Sequence, residues 1–304
     1  MNLEKYRGII PAFYACYDEQ NEVSEKATRS LARYLVNKGV KGLYVGGSSG
    51  ECIYLEKEER MKTLEAVMAE VKGECTVIAH VGCNNTRESM QLAAHAESLG
   101  VDAIASIPPI YFHLPEYSIA QYWNDISSAA PNTDFVIYNI PQLAGVALTA
   151  PLFQEMLKNP RVVGVKNSSM PTQDIDTFVR LGGDRCVVFN GPDEQFVAGR
   201  AIGAGGGIGG TYGAMVELFL KMDALVNEGR YKEAEPIQHE VNAIITDLCA
   251  CKGNMYATIK AVLKINEGLE LGSVRKPLTG LQLEDMPKVE KAAKHIREAL
   301  AKFC

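Results

Sequence analysis

Short apolar runs rich in Val, Ile, Tyr and Gly alternate with amphipathic runs of helical spacing about eight times before residue 229. This alternation constrains the fold more than any other feature of the chain. Each helix returns the chain to the starting edge of the next strand, so the strands must pair in parallel. Strands are expected at 8–15, 42–45, 76–80, 103–107, 135–139, 162–166, 186–190 and 206–209. Ser24 can cap the first helix, which runs to about Lys38 with Leu31, Tyr34 and Leu35 on one face, and Gly39 stops it. Further helices are expected at 57–71, 86–98 and 118–129, after Pro151, from near Thr172, and at 193–202 and 215–228. Eight strand–helix units are the count of a (β/α)8 barrel. A doubly wound open sheet, the alternative, usually has fewer strands. After Gly229 the pattern changes to helices alone, at 231–250, 254–266 and 284–302. The expectation is an α/β fold, a (β/α)8 TIM barrel over residues 1–229 carrying a C-terminal helical extension over 230–304.

Charge and composition remove several classes of function. The 31 basic and 37 acidic residues leave a net charge of −6. No Lys/Arg stripe is present, which argues against nucleic-acid binding. The first residues lack the apolar core of a signal peptide, and no apolar stretch has the length of a membrane span. Eight cysteines scattered through a chain of this size read as reduced thiols. Together these features point to a cytoplasmic protein. Cys249 and Cys251 stand one residue apart, the spacing of neither a redox pair nor a zinc knuckle. The five histidines (His80, His95, His113, His239 and His295) show no ligand spacing, so each reads as a surface or packing residue and no metal is expected.

Barrels place their chemistry at the C-terminal ends of the strands. Lys166 ends the sixth strand, directly after Val162-Val163-Gly164-Val165. An ammonium group at the end of a buried apolar strand is costly, and desolvation lowers its pKa. The resulting neutral amine can attack a ketone and form a Schiff base. A strand-end lysine that snorkels to solvent is the alternative. Tyr138 ends the fifth strand, Tyr111 follows the fourth, and Asp193 and Glu194 follow the seventh. Ser48 and Ser49 lie in the turn Gly46-Gly47-Ser48-Ser49-Gly50-Glu51 after the second strand. Its N–H groups and hydroxyls suit a carboxylate or phosphate, and it lacks a P-loop lysine. Gly205-x-Gly207-x-x-Gly210 has the spacing of a dinucleotide fingerprint. It follows too short a strand and lacks the later acid, so it reads as close backbone approach at the last strand. A lysine, a tyrosine and a Ser-Ser turn at three strand ends point to amine activation of a keto acid.

At Gly47-Ser48-Ser49-Gly50-Glu51, Tyr138-Asn139-Ile140-Pro141, Gly164-Val165-Lys166-Asn167-Ser168 and Gly191-Pro192-Asp193-Glu194, the chain resembles the pyruvate-dependent class I aldolases. That family includes N-acetylneuraminate lyase and dihydrodipicolinate synthase, and the resemblance covers nearly the whole chain. It implies that Lys166 forms an imine with pyruvate, that Tyr138 assisted by Ser48 relays protons, and that Ser48 and Ser49 hold the carboxylate. No further cofactor is then needed. Ser168, Gly191, Asp193, Glu194 and Gly210 become the other substrate contacts. Tyr111 resembles a tyrosine that the family contributes across a subunit contact, usually within a homotetramer. Leu143 stands where dihydrodipicolinate synthases carry a carboxylate-binding arginine, and an uncharged side chain cannot make that fork. Gly191-x-Asp193-Glu194 is similar to the sialic acid lyases, although those often carry Ser at the position of Gly210. The reading is a lyase for N-acetylneuraminate or a related 2-keto-3-deoxy sugar acid. Dihydrodipicolinate synthase and a non-catalytic keto-acid binder are the alternatives.

Overall fold

The computed structural model describes residues 2–304. Eight parallel strands form one sheet: β1 (Gly8–Pro11), β2 (Gly42–Val45), β3 (Thr76–His80), β4 (Ala103–Ser106), β5 (Asp134–Asn139), β6 (Val162–Asn167), β7 (Val187–Asn190) and β8 (Gly206–Gly209). Their order is β1-β8-β7-β6-β5-β4-β3-β2, and a parallel bridge between Ala12 and Tyr44 brings β1 to β2 and closes the ring. This is the expected barrel. The first strand is shorter than its apolar run, ending at Pro11, which has no N–H for a ladder.

The strands are joined by helices where the sequence spacing places them. Ser24 caps the first, Glu25–Asn37, its side chain accepting from the Ala27 N–H. Gly39 follows with φ +86°, a backbone that closes the helix and suits glycine. Two details differ from the sequence pattern. A single turn, Pro141–Ala144, occupies the loop after β5. The segment after β7 begins as a 3-10 turn, Asp193–Gln195, before its helix, Phe196–Ala201.

Two apolar layers flank the sheet. Ile10, Tyr44, Ile78, Ala105, Val136, Val163, Phe189 and Ile208 fill the barrel interior. The outer faces of the strands pack against the helices in one continuous core that extends to Ile244, Ile259 and Ile296 of the C-terminal segment. That segment consists of three helices, Tyr231–Leu248, Met255–Glu267 and Met286–Phe303. No helix among the described residues is long and apolar enough to cross a membrane.

One irregularity decides where the sixth strand points. In the β5–β6 ladder Phe135 pairs with Val162, but Val136 pairs with Gly164, so β6 carries one extra residue. Side chains alternate along a strand, and an inserted residue reverses the alternation beyond it. Val165 therefore faces the outer core, and Lys166, in register with Tyr138, faces the barrel axis. Gly164 makes this close packing possible, since a Cβ there would lie 2.6 Å from the Val187 carbonyl oxygen.

Candidate active site

A cavity of 290 Å³ opens at the C-terminal ends of the strands. Lys166 lies at its floor, 4% exposed. Its Nζ stands 4.3 Å from the ring centre of Tyr44 and 4.1 Å from that of Tyr138. Among the described residues no carboxylate lies within ion-pairing distance of it. Burial pulls the amine down to about 7, against the opposing influence of Asp193 and Cys52. Near neutral pH a large share of Lys166 is thus an uncharged nucleophile, as imine formation requires.

Tyr138 is 3% exposed, and burial pushes its hydroxyl up to about 12, with Ser48 and Ser168 pulling it back. The Ser48 Oγ and Tyr138 hydroxyl are 3.5 Å apart, at the outer limit of a hydrogen bond. The Tyr138 ring is held edge-on by Tyr44 at 5.7 Å and His80 at 6.0 Å. Ser49 is buried, and its hydroxyl donates to the Tyr256 hydroxyl at 3.0 Å. Ser48 and Ser49 sit in a 3-10 turn over Ser48–Gly50 that ends on Glu51 in the left-handed region, φ 54°.

The opposite rim carries the acids. Asp193 is buried, and its Oδ2 accepts from the Thr211 N–H at 2.7 Å and the Thr211 hydroxyl at 2.6 Å. Its Oδ1 is buried with no partner among the described residues. Desolvation raises its carboxyl to about 6, and the two Thr211 bonds oppose this. Glu194 next to it is exposed. Both backbone carbonyls are tied to helix Tyr231–Leu248, that of Asp193 by Gln238 Nε2 and that of Glu194 by Asn242 Nδ2, each at 3.1 Å. Gly191 must be glycine, since a Cβ would lie 2.1 Å from the Ser168 hydroxyl. At Gly210 a Cβ would be 3.3 Å from the Tyr256 hydroxyl and 3.4 Å from Ser49 Oγ, a tight but passable fit.

Lys166, Tyr138, Ser48, Ser49, Ser168, Gly191, Asp193, Glu194 and Gly210 thus line one cavity, with Leu143 at its mouth. Tyr111 does not join them. It is 85% exposed with φ +85° and lines a separate groove of 860 Å³ with Phe112 and Tyr117. That groove is the larger of the two, but no lysine lines it among the described residues.

The sequence pattern of the dihydrodipicolinate synthetase family matches residues 5–296. The chain belongs to that family. It is 65% identical over 302 residues to the N-acetylneuraminate lyase of Mediterraneibacter gnavus, covering 99% of this chain and 96% of that one. The wild-type sialic acid aldolase structure from Ruminococcus gnavus superposes with a TM-score of 0.98 at 64% identity, over 99% of this chain and 100% of that one. A catalytic lysine mutant of the same aldolase gives a TM-score of 0.99, also at 64% identity, over 100% and 99%.

Several residues around this cavity are not marked by the sequence. Tyr44 reads there as one more apolar strand residue, yet its ring is half of the cradle under Lys166. His80 is buried and neutral, its pKa held well below the ordinary value by desolvation and then by Arg60. Its Nδ1 donates to the Gly46 carbonyl at 2.9 Å, which braces the turn before Ser48. Thr211 stands next to Gly210 but outside the Gly205-x-Gly207-x-x-Gly210 pattern, and Tyr256 comes from a segment with no motif. Strand parity could have flagged Tyr44, which lies two residues before Gly46; the others needed three-dimensional contacts.

Proposed function

We propose that this chain is a Schiff-base aldolase that cleaves N-acetylneuraminate to pyruvate and N-acetylmannosamine. The observation that carries the reading is Lys166, a buried amine lowered to about 7 and cradled by two tyrosines. Its presence in a chain 65% identical to an N-acetylneuraminate lyase names the substrate. Lys166 Nζ attacks the C2 ketone, and water leaves as the protonated imine forms. Tyr138 and Ser48 form a proton relay: Tyr138 takes the proton of the C4 hydroxyl as it hands its own on through Ser48 to the substrate carboxylate. The C3–C4 bond then breaks, its electron pair moves into the iminium as an enamine, and the aldehyde departs. Protonation at C3 and hydrolysis return pyruvate and the free lysine. The electron sink is the lysine's own imine, so the step calls for no further cofactor.

Ser48 and Ser49 are assigned to the pyruvate carboxylate, and Ser168, Gly191, Asp193, Glu194 and Gly210 to the sugar end. Ionised Asp193 and Glu194 present only acceptors, which suits a polyol and repels a second carboxylate. Residues 1–229 form the barrel unit and 230–304 the extension in this reading. A cytoplasmic homotetramer is its assembly, with Tyr111 serving a neighbouring subunit, which agrees with its exposed position away from Lys166.

The deciding test compares kcat/KM for N-acetylneuraminate cleavage with that for condensation of pyruvate and aspartate semialdehyde on one preparation. Cleavage should be favoured strongly, with borohydride trapping a pyruvate adduct on Lys166. A higher value for aspartate semialdehyde would make the protein a synthase, and no turnover with a trapped adduct would make it a keto-acid binder.

A further inference from the structure

The serine turn is held from below by a helix distant in sequence. Tyr256 and Lys260 lie four residues apart on helix Met255–Glu267, one above the other on a single face. Tyr256 meets Ser49 through the 3.0 Å hydroxyl contact. Lys260 Nζ meets Glu51 Oε1 at 3.0 Å, with both side chains fully excluded from solvent. Glu51 Oε2 also accepts from the Tyr17 hydroxyl at 2.9 Å and the Arg275 N–H at 2.8 Å, and Lys260 donates to the Ser273 carbonyl. Arg275 continues the network, its Nη1 donating to both carboxylate oxygens of Glu59 at 2.6 and 2.7 Å. Glu51 closes the serine turn in a left-handed conformation that non-glycine residues rarely adopt, so it persists only where its surroundings enforce it.

A buried ion pair of this kind adds little net stability over an apolar pair, because desolvation offsets the attraction. Its geometry is another matter. The carboxylate accepts three hydrogen bonds from three separate segments, and two residues upstream the Ser49 hydroxyl is fixed by the same helix. We infer that Lys260 and Tyr256 are positioning residues: helix Met255–Glu267 clamps the turn at Glu51 and Ser49 and so sets the carboxylate-binding geometry of Ser48 and Ser49. The inference rests on the assignment of that turn to the pyruvate carboxylate.

The test measures half-saturation of borohydride trapping at Lys166 by two ketones. Pyruvate carries the carboxylate and acetone lacks it. The double variant Glu51→Gln with Lys260→Met removes the pair without stranding a buried charge, and the glutamine carbonyl still accepts from Tyr17 and Arg275. Its pyruvate half-saturation should rise about tenfold, the scale of a weakened hydrogen bond to a charged group. Acetone trapping should stay within about twofold of the native value, since the Lys166 cradle is not touched. An unchanged pyruvate value overturns the inference, and so does an equal loss for both ketones, which would mean general collapse of the site. If the double variant does not fold, Tyr256→Phe removes the second point of the clamp alone and is expected to shift pyruvate in the same sense. Ser49→Ala separates the two layers. If it leaves pyruvate half-saturation unchanged, the carboxylate assignment is wrong and the clamp falls with it. If it weakens pyruvate while the clamp variants do not, only the clamp is wrong.

Discussion

Lys166 is the residue on which the site depends, and its burial has two consequences of opposite value. The amine is held near 7 in the folded chain against an ordinary value of 10.5. Trapping by pyruvate should therefore rise with pH through about 7 and level off above it, as the neutral amine becomes dominant. A profile that rises only near 10 would show an ordinary lysine. The same shift costs stability. Between 7 and 10.5 the unfolded chain binds more protons than the folded one, so stability rises with pH across that window. Below 7 the full cost is present. Lys166→Met should abolish trapping yet raise the thermal midpoint at pH 6 by at least about 2 °C, the scale of 1 kcal/mol in a chain of this size. The gain should shrink as the pH approaches 10.5. A lower midpoint at pH 6 would mean that the charged lysine is stabilised by contacts other than the two rings. Lys166 was legible in the sequence because a charge at the end of an apolar strand is a local contradiction. Tyr138 was legible by position at a neighbouring strand end. Tyr44 and His80 were not, since each is a reasonable strand residue and its partner comes from another strand.

At the scale of elements, the alternation of strands and helices was read directly, because it is a periodicity and needs no tertiary information. The bulge in β6 was not. It inserts one residue, leaves the apolar run intact, and is visible only as a register shift against β5. Without it Lys166 would face the helices rather than the axis. Gly164 sits at this bulge with the Val187 carbonyl in the space a Cβ needs. Gly164→Ala should destabilise by about 1–3 kcal/mol, the usual cost of overpacking, and slow pyruvate trapping, as read by urea unfolding and trapping rate. Unchanged values would show that the strand adapts freely. The short turn Pro141–Ala144 carries Leu143. Leu143 is 64% exposed there, at the mouth of the cavity, with room for a longer side chain. Leu143→Arg supplies a guanidinium that can fork onto a carboxylate. The ratio of kcat/KM for aspartate semialdehyde over N-acetylneuraminate should rise by about tenfold or more, the worth of one charged hydrogen bond. A ratio that stays constant would remove Leu143 from the account of specificity.

For the whole molecule, the C-terminal helices are bound to the barrel and to each other by contacts that no single segment of sequence announces. Gln238 and Asn242 tie the acidic rim, Tyr256 and Lys260 the serine turn, and the partners lie tens to hundreds of residues away. Amphipathic spacing reveals the helices but not which polar residue on the buried face meets which loop. Helices Tyr231–Leu248 and Met286–Phe303 are further joined by His295, whose Nδ1 lies 2.8 Å from Asp247 and Nε2 3.0 Å from Glu240. Partial burial lowers the imidazolium pKa, but the two carboxylates outweigh it and the net shift is upward. Lys291 and Lys302 face the same acids from helix Met286–Phe303, at 2.6 and 2.8 Å. A raised histidine stabilises the fold fully below its ordinary value of 6.5, and that contribution is lost as the pH rises through the raised value. His295→Gln keeps a donor but not the charge. It should lower the thermal midpoint at pH 6 by the equivalent of up to about 1 kcal/mol, a modest figure because solvent and the two lysines screen the pair. At pH 9 the variant and the native chain should melt together. The direction is opposite to that of Lys166, whose burden lifts as the pH rises, so melting curves of the two variants across pH 6–9 separate the contributions. A His295→Gln deficit that persists undiminished at pH 9 would assign the residue to packing, and the carboxylates would then owe their ordering to the lysines alone.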